Sequence, residues 1–173
     1  MIQTKGINHI ALVCRDMAET VKFYTEVLHM PLVKTVQLPD GGQHFFFDCG
    51  GGNLVAFFWW EDAPAAAPGI ASVKKFPFDS KTAVGSMNHL AFDMDECELE
   101  AALERLKEAR VDYTPAVVNH DDSPGGVSAE MHDGVFVRSV YFTDPNGIML
   151  EFAALTKEFT AEDIRHEPAT MGA

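Results

Sequence analysis

The sequence predicts an α+β chain in which one small module occurs twice, and three observations carry that expectation. Asn8-His9-Ile10-Ala11-Leu12-Val13 and Asn88-His89-Leu90-Ala91-Phe92-Asp93 are near copies, displaced by 80 residues. Phe47-Asp48-Cys49-Gly50-Gly51-Gly52-Asn53-Leu54-Val55-Ala56-Phe57 aligns without gaps to Phe142-Thr143-Asp144-Pro145-Asn146-Gly147-Ile148-Met149-Leu150-Glu151-Phe152, displaced by 95. A repeat that cannot bury its own sheet face pairs with another copy. With 47% hydrophobic and 23% charged residues, 173 residues suffice for one sizeable core.

Each copy opens on a short strand and continues into a helix. Asp16 with Glu19 three residues on reads as a capping box, and Met17, Val21, Tyr24 and Leu28 fall on one helical face. Asp95 with Glu98 and the stripe Leu99, Leu103, Leu106 repeat the pattern. The first helix is expected to stop before Pro31 and the second near Arg110 and Val111. Each copy closes on strand, tight glycine-bearing turn, strand, which is a hairpin. The displacement grows from 80 to 95, so the second copy holds about fifteen extra residues, matched by the polar loop-like stretch Asn119 to Gly126. The expected organisation is a first module over 6–61, a connector over 62–85 rich in Ala and Pro, a second module over 86–155 and a polar tail over 156–173. A short helix is expected around Ala161 to His166.

Composition narrows the function. With 13 basic against 26 acidic residues the formal charge is −13, a surface that repels phosphate backbones and anionic lipid, so neither nucleic acid nor membrane is an expected partner. No apolar run approaches the ~20 residues of a membrane span, and Met1 to Gly6 leads into a strand without a signal peptide, so a cytoplasmic location is expected. Cys14, Cys49 and Cys97 are odd in number and far apart, which suits reduced packing cysteines.

The doubled N-H-[IL]-A opening and the closing strand ending in Glu resemble the vicinal oxygen chelate superfamily, which includes glyoxalase I, methylmalonyl-CoA epimerase, bleomycin-resistance proteins and extradiol ring-cleavage dioxygenases. The resemblance spans about Gly6 to Ala154. It implies two tandem βαβββ modules whose curled mixed sheets form an open cup around a divalent metal, with His9, His89 and Glu151 as ligands. The fourth ligand place of the metal-dependent isomerases and epimerases falls on Ala56, whose methyl group binds no metal. Two imidazoles and one carboxylate match the facial triad of non-haem Fe(II) oxygenases.

A second motif sharpens the resemblance. His132 to Glu151 is similar to the extradiol dioxygenase signature, in which His, an apolar-Tyr pair, D-P-x-G and the metal-binding Glu follow in order. A tight turn over Asp144-Pro145-Asn146-Gly147 would bring Tyr141 and Glu151 side by side across the ladder. The resemblance makes His132 and Tyr141 the catalytic donors to substrate oxygen and dioxygen. Two features depart from the pattern: Glu130 stands where a small residue, a β-branched one or Asn is usual, and the Gly50-Gly51-Gly52-Asn53 turn lacks a further acid/base His. Asn53 cannot act as a base near neutral pH, and His44 on the preceding strand is the other candidate.

The expected activity is Fe(II)-dependent extradiol cleavage of a catechol-type aromatic diol by O2, bicyclic diols included, with Mn(II) or another divalent metal as alternatives to iron. The aromatic residues Phe45, Phe46, Phe47, Phe57, Phe58, Trp59 and Trp60 are candidates for a ring-binding wall. A homodimer is expected, with His9 and His89 drawn from one subunit or from two. The competing readings are a metal-dependent lyase, isomerase or epimerase of the glyoxalase type, against which Ala56 argues, and a bleomycin-resistance-type binding protein without turnover.

Overall fold

The computed structural model describes residues 4–39, 41–68 and 82–168. In the first module β1 (His9–Val13) leads into α1 (Met17–Lys22), followed by β2 (Leu32–Gln37), β3 (Gln43–Asp48) and β4 (Leu54–Trp59). In the second, β5 (Leu90–Asp93) leads through a 3₁₀ turn (Glu96–Glu98) into α2 (Leu99–Glu108), then β6 (Val118–His120), β7 (Val127–Ser128), β8 (Val137–Thr143) and β9 (Met149–Leu155). Each module forms its own mixed sheet, ordered β1-β4-β3-β2 and β5-β9-β8-β6-β7. Both first strands run parallel to the last strand of their module, while the remaining pairs are antiparallel.

Asp16 caps α1 as its spacing predicts, its Oδ1 accepting from the Glu19 amide at 2.8 Å. The apolar stripe continues to Leu28, but the last stretch, Phe23–Val27, winds as a wider π turn before the chain leaves at His29 with φ +54°. Asp95 departs from the expected capping box: its side chain makes no cap bond, and the chain enters α2 through the 3₁₀ turn instead. The extra residues of module two are loop in part only, because Asn119 and His120 belong to β6. The connector expected over 62–85 lies largely outside the described residues, and the short C-terminal helix is a 3₁₀ turn, Ala161–Asp163.

Alternation along the strands sends one set of side chains to the helices and the other to an open face. Tyr24, Phe47 and Phe57 of module one and Leu99, Leu106, Phe142 and Leu150 of module two belong to one buried cluster that spans both modules. Each such side chain contributes on the order of 1.5–3 kcal/mol through burial. The seam between the modules is also polar at one end. Asn146, in the turn before β9, accepts from the Arg15 amide at 2.9 Å and donates to Thr20 Oγ1 at 3.3 Å. Asp144 holds that turn by accepting from the Asn146 and Ile148 amides, both at 2.8 Å, while Gly147 takes φ +79°. At the opposite end the equivalent turn presents Gly51 instead of Asn, and a cleft of about 510 Å³ opens between it and β5, lined by Lys5, Ile10, Leu90, Phe92 and Asp93 among others.

Candidate functional site

Register fixes which side chains share the open face of module two. Ala91, Glu151 and Tyr141 lie directly opposite one another on β5, β9 and β8, so all three point the same way. Two residues from Tyr141 along β8, Ser139 shares that face, and His120 at the end of β6 pairs with Val137 on it. His89, two residues before Ala91, completes the group. The short turn thus sets Tyr141 beside Glu151 as the sequence spacing predicts.

Glu151 is 5% exposed, and its two oxygens are separately engaged. His89 Nε2 lies 2.9 Å from Oε2, and Ser139 Oγ donates to Oε1 at 2.5 Å. Burial pulls the Glu151 carboxyl upward, but the hydrogen bonds from His89 and Ser139 outweigh it and hold the group below the usual carboxylate range. The bond to Glu151 raises His89 against the opposing pull of burial. Burial, and then the neighbouring Glu151 charge, push Tyr141 up to about 12. Tyr141 therefore keeps its proton throughout the neutral range. Its hydroxyl lies 3.1 Å from His120 Nε2.

Module one presents the counterpart face. His9 and Ala11 of β1, Ala56 and Phe58 of β4, and Phe46 and His44 of β3 share it by register. Ala56 stands opposite Ala11, as Glu151 stands opposite Ala91, so the alignment that puts a methyl group at the fourth ligand place describes the backbone correctly. Phe46 meets the His9 ring edge-on at 5.8 Å. His44 stacks on Phe58 at 3.6 Å with the rings 4° from parallel, its Nδ1 3.1 Å from the Phe57 carbonyl. Asn53 is turned into its own loop, donating weakly to the Gly50 and Gly51 carbonyls at 3.4 Å.

The two first-strand histidines are prepared alike. His9 Nδ1 lies 2.8 Å from Asn8 Oδ1, and His89 Nδ1 lies 2.7 Å from Asn88 Oδ1. An amide oxygen only accepts, so in both rings Nδ1 carries a proton; His9 Nε2 is thereby left with its lone pair, whereas His89 Nε2 donates to Glu151 here and would have to give up that proton to bind a cation. The Nδ1–H tautomer is the one an imidazole binding through Nε2 needs, and an outer partner on the other nitrogen is the usual companion of such a ligand. The donor set of His9, His89 and Glu151 therefore fits a divalent cation in chemical type. Geometrically the single chain brings together only His89 and Glu151: among the described residues no three of His, Cys, Asp and Glu are close enough to share a metal.

The hydrogen bonds of His132 run to partners other than Tyr141. His132 lies in the loop before β8, where its Nδ1 accepts from the Gly134 amide at 3.0 Å and its Nε2 donates to Asp121 at 3.1 Å. The histidine at the Tyr141 hydroxyl is His120. Three contributors were not singled out from the sequence: Asn8 with Asn88, Ser139 and His120. The first pair was visible, since the repeated unit is Asn-His and not His alone. Ser139 follows from period two once Tyr141 is placed, whereas His120 depends on the register of β6 against β8.

Comparison with known proteins agrees with this architecture. Residues 6–152 match the model of the Glyoxalase/Bleomycin resistance protein/Dioxygenase superfamily. The chain is 30% identical over 147 residues to metallothiol transferase FosB of Shouchella clausii (strain KSM-K16), covering 84% of this chain and 77% of that one. It is 28% identical over 149 residues to glyoxylase I 4 of Arabidopsis thaliana, covering 84% and 68%. A shorter match, 46% identical over 48 residues, covers 27% of this chain and 16% of MhqE of Bacillus subtilis (strain 168), a protein named for ring-cleaving dioxygenase activity. Among solved structures, a glyoxylase/bleomycin resistance protein/dioxygenase domain from Frankia sp. EAN1pec superposes with a TM-score of 0.65 at 18% identity, covering 88% of this chain and 99% of that one. With two modules of the same plan and a family match across both, the chain belongs to the Glyoxalase/Bleomycin resistance protein/Dioxygenase superfamily.

Proposed function

We propose that this protein is a divalent-metal enzyme that cleaves catechol-type diols with O2, with His9, His89 and Glu151 holding the metal. The observation that carries this reading is the face of module two, where His89 and Glu151 pair at 2.9 Å with the Tyr141 phenol directly across the ladder. Ala56 leaves only three protein donors, which suits a centre that keeps open positions for a bidentate diol and O2. Bound there, iron(II) supplies Lewis acidity and redox chemistry toward dioxygen. The chain's own groups supply the rest. Tyr141 stays protonated and offers a hydrogen bond to a diol oxygen, and Ser139 keeps Glu151 anionic and fixed. Phe46 and Phe58, on the face that carries His9, offer apolar walls to a planar ring.

In this reading the site is shared between two copies of the chain, module one of each facing module two of the other. Two observations support it: His9 does not join His89 and Glu151 within one chain, and β1 and β5 each form one edge of their sheet. A second reading, transfer of a thiol to a small electrophile, is favoured by the similarity to FosB along most of the chain. One experiment separates them. Protein loaded with Fe(II) without oxygen and then mixed with a catechol panel in air is expected to take up O2 and give a yellow ring-fission product. Absence of both, together with metal- and thiol-dependent loss of an electrophile under argon, overturns the dioxygenase reading in favour of the second.

A further inference from the structure

His120 stands on β6, beyond β8 from the Glu151 strand, and no family motif points to it. Its Nε2 lies 3.1 Å from the Tyr141 hydroxyl. Tyr141 is gripped on both sides by imidazoles: its ring centroid is 5.8 Å from that of His89 and 5.9 Å from that of His120, with interplanar angles of 88° and 85°. The ring position is thereby fixed, and what remains to be set is the direction of one phenolic proton. A phenol has one proton and two acceptor lone pairs. If Tyr141 donates to His120, its proton points away from Glu151 and only a lone pair faces the site. If His120 donates to Tyr141, the phenolic proton is free to point into it.

Charge decides between the two. The Glu151 carboxylate lies directly across the ladder from Tyr141 and draws the phenolic proton toward its side of the face. The carboxylates that follow His120 in sequence are engaged elsewhere, Asp121 by the Ser123 amide and hydroxyl and by His132, and Asp122 by Arg165. We propose that His120 donates its Nε2 proton to the Tyr141 oxygen and so commits the phenolic proton to the Glu151 side, which makes His120 a positioning residue for the hydrogen bond that Tyr141 gives to substrate. The assignment deepens the proposed site, but its first test does not depend on the reaction.

In protein labelled with ¹⁵N-histidine at mildly alkaline pH, the seven histidines are assigned by single His→Gln variants. His120 is expected to show a protonated Nε2 and an unprotonated Nδ1, and Tyr141→Phe is expected to shift the Nε2 resonance. An unprotonated Nε2, or one indifferent to Tyr141→Phe, overturns the proposal whatever the enzyme's substrate proves to be. In the turnover assay His120→Ala is expected to lower kcat on the order of 10- to 100-fold with KM little changed. His120→Gln, whose amide N–H replaces the donor, is expected to recover most of it. Equal losses in the two variants overturn the positioning role. Should His120→Ala not fold, the resonance of the parent protein and its response to Tyr141→Phe decide alone.

Discussion

Asn8 and Asn88 show how much of a site one short side chain can set. Each accepts from the Nδ1–H of the histidine that follows it and so turns Nε2 outward, the nitrogen that would bind a metal in the proposed site. Asn88→Ala is expected to weaken divalent-metal affinity by roughly 10- to 100-fold without unfolding the chain, as measured by chelator competition. Asn8→Ala is expected to behave alike; an affinity unchanged in both would mean that the tautomer is set elsewhere. Sequence made the meeting of His89, Tyr141 and Glu151 legible because each falls in a repeated or spaced motif. It left Ser139 and His120 unread, since a hydroxyl twelve residues from its carboxylate and an imidazole twenty-one from its phenol meet only through strand register. His132 fits the motif equally well, and its ring is tied to Asp121 just after β6 and to the Gly134 amide of its own loop.

Helix entry and turn chemistry separate the two copies at the scale of elements. Both helices carry an acidic residue at the expected cap, but only Asp16 makes the bond. Asp16→Ala is expected to cost about 1 kcal/mol in denaturant unfolding, and Asp95→Ala clearly less; equal costs would place the difference outside capping. The strands, the hairpins and the positions of both helices follow from apolar periodicity, whereas the π turn of Phe23–Val27 and the 3₁₀ entry to α2 answer to tertiary packing. Near the C-terminus Asp163 accepts from the Thr160 amide at 2.8 Å and from Lys157 at 3.0 Å, and the Thr160 bond, then Lys157, hold its carboxyl down at about 2. A carboxyl lowered on folding steadies the turn fully above its ordinary 3.8 and loses that effect as pH falls toward 2. The Thr160 amide resonance is expected to be constant from neutral pH to about 4 and to move below it. Asp163→Asn is expected to abolish the movement.

The whole molecule is expected to work as a pair. If His9 comes from one chain and His89 with Glu151 from another, His9→Ala and Glu151→Gln are each inactive, but mixing them under conditions that let subunits exchange restores activity. Random reassortment leaves roughly a quarter of the sites intact. No recovery, with exchange verified by mass spectrometry, would place all three ligands in one chain.

The clasp made by Asn146 on the Arg15 amide and the Thr20 hydroxyl has no side-chain twin, because its counterpart position is Gly51 and no hydroxyl falls at the counterpart of Thr20. A gene duplicated in tandem begins with interchangeable halves, and these have ceased to be so. Two copies of the second half joined head to tail would carry the asparagine but not the threonine it grips, and two copies of the first would carry the threonine alone. The order of the halves is therefore written into the molecule as a polarity, and shuffling them would undo it even where each half kept its strands.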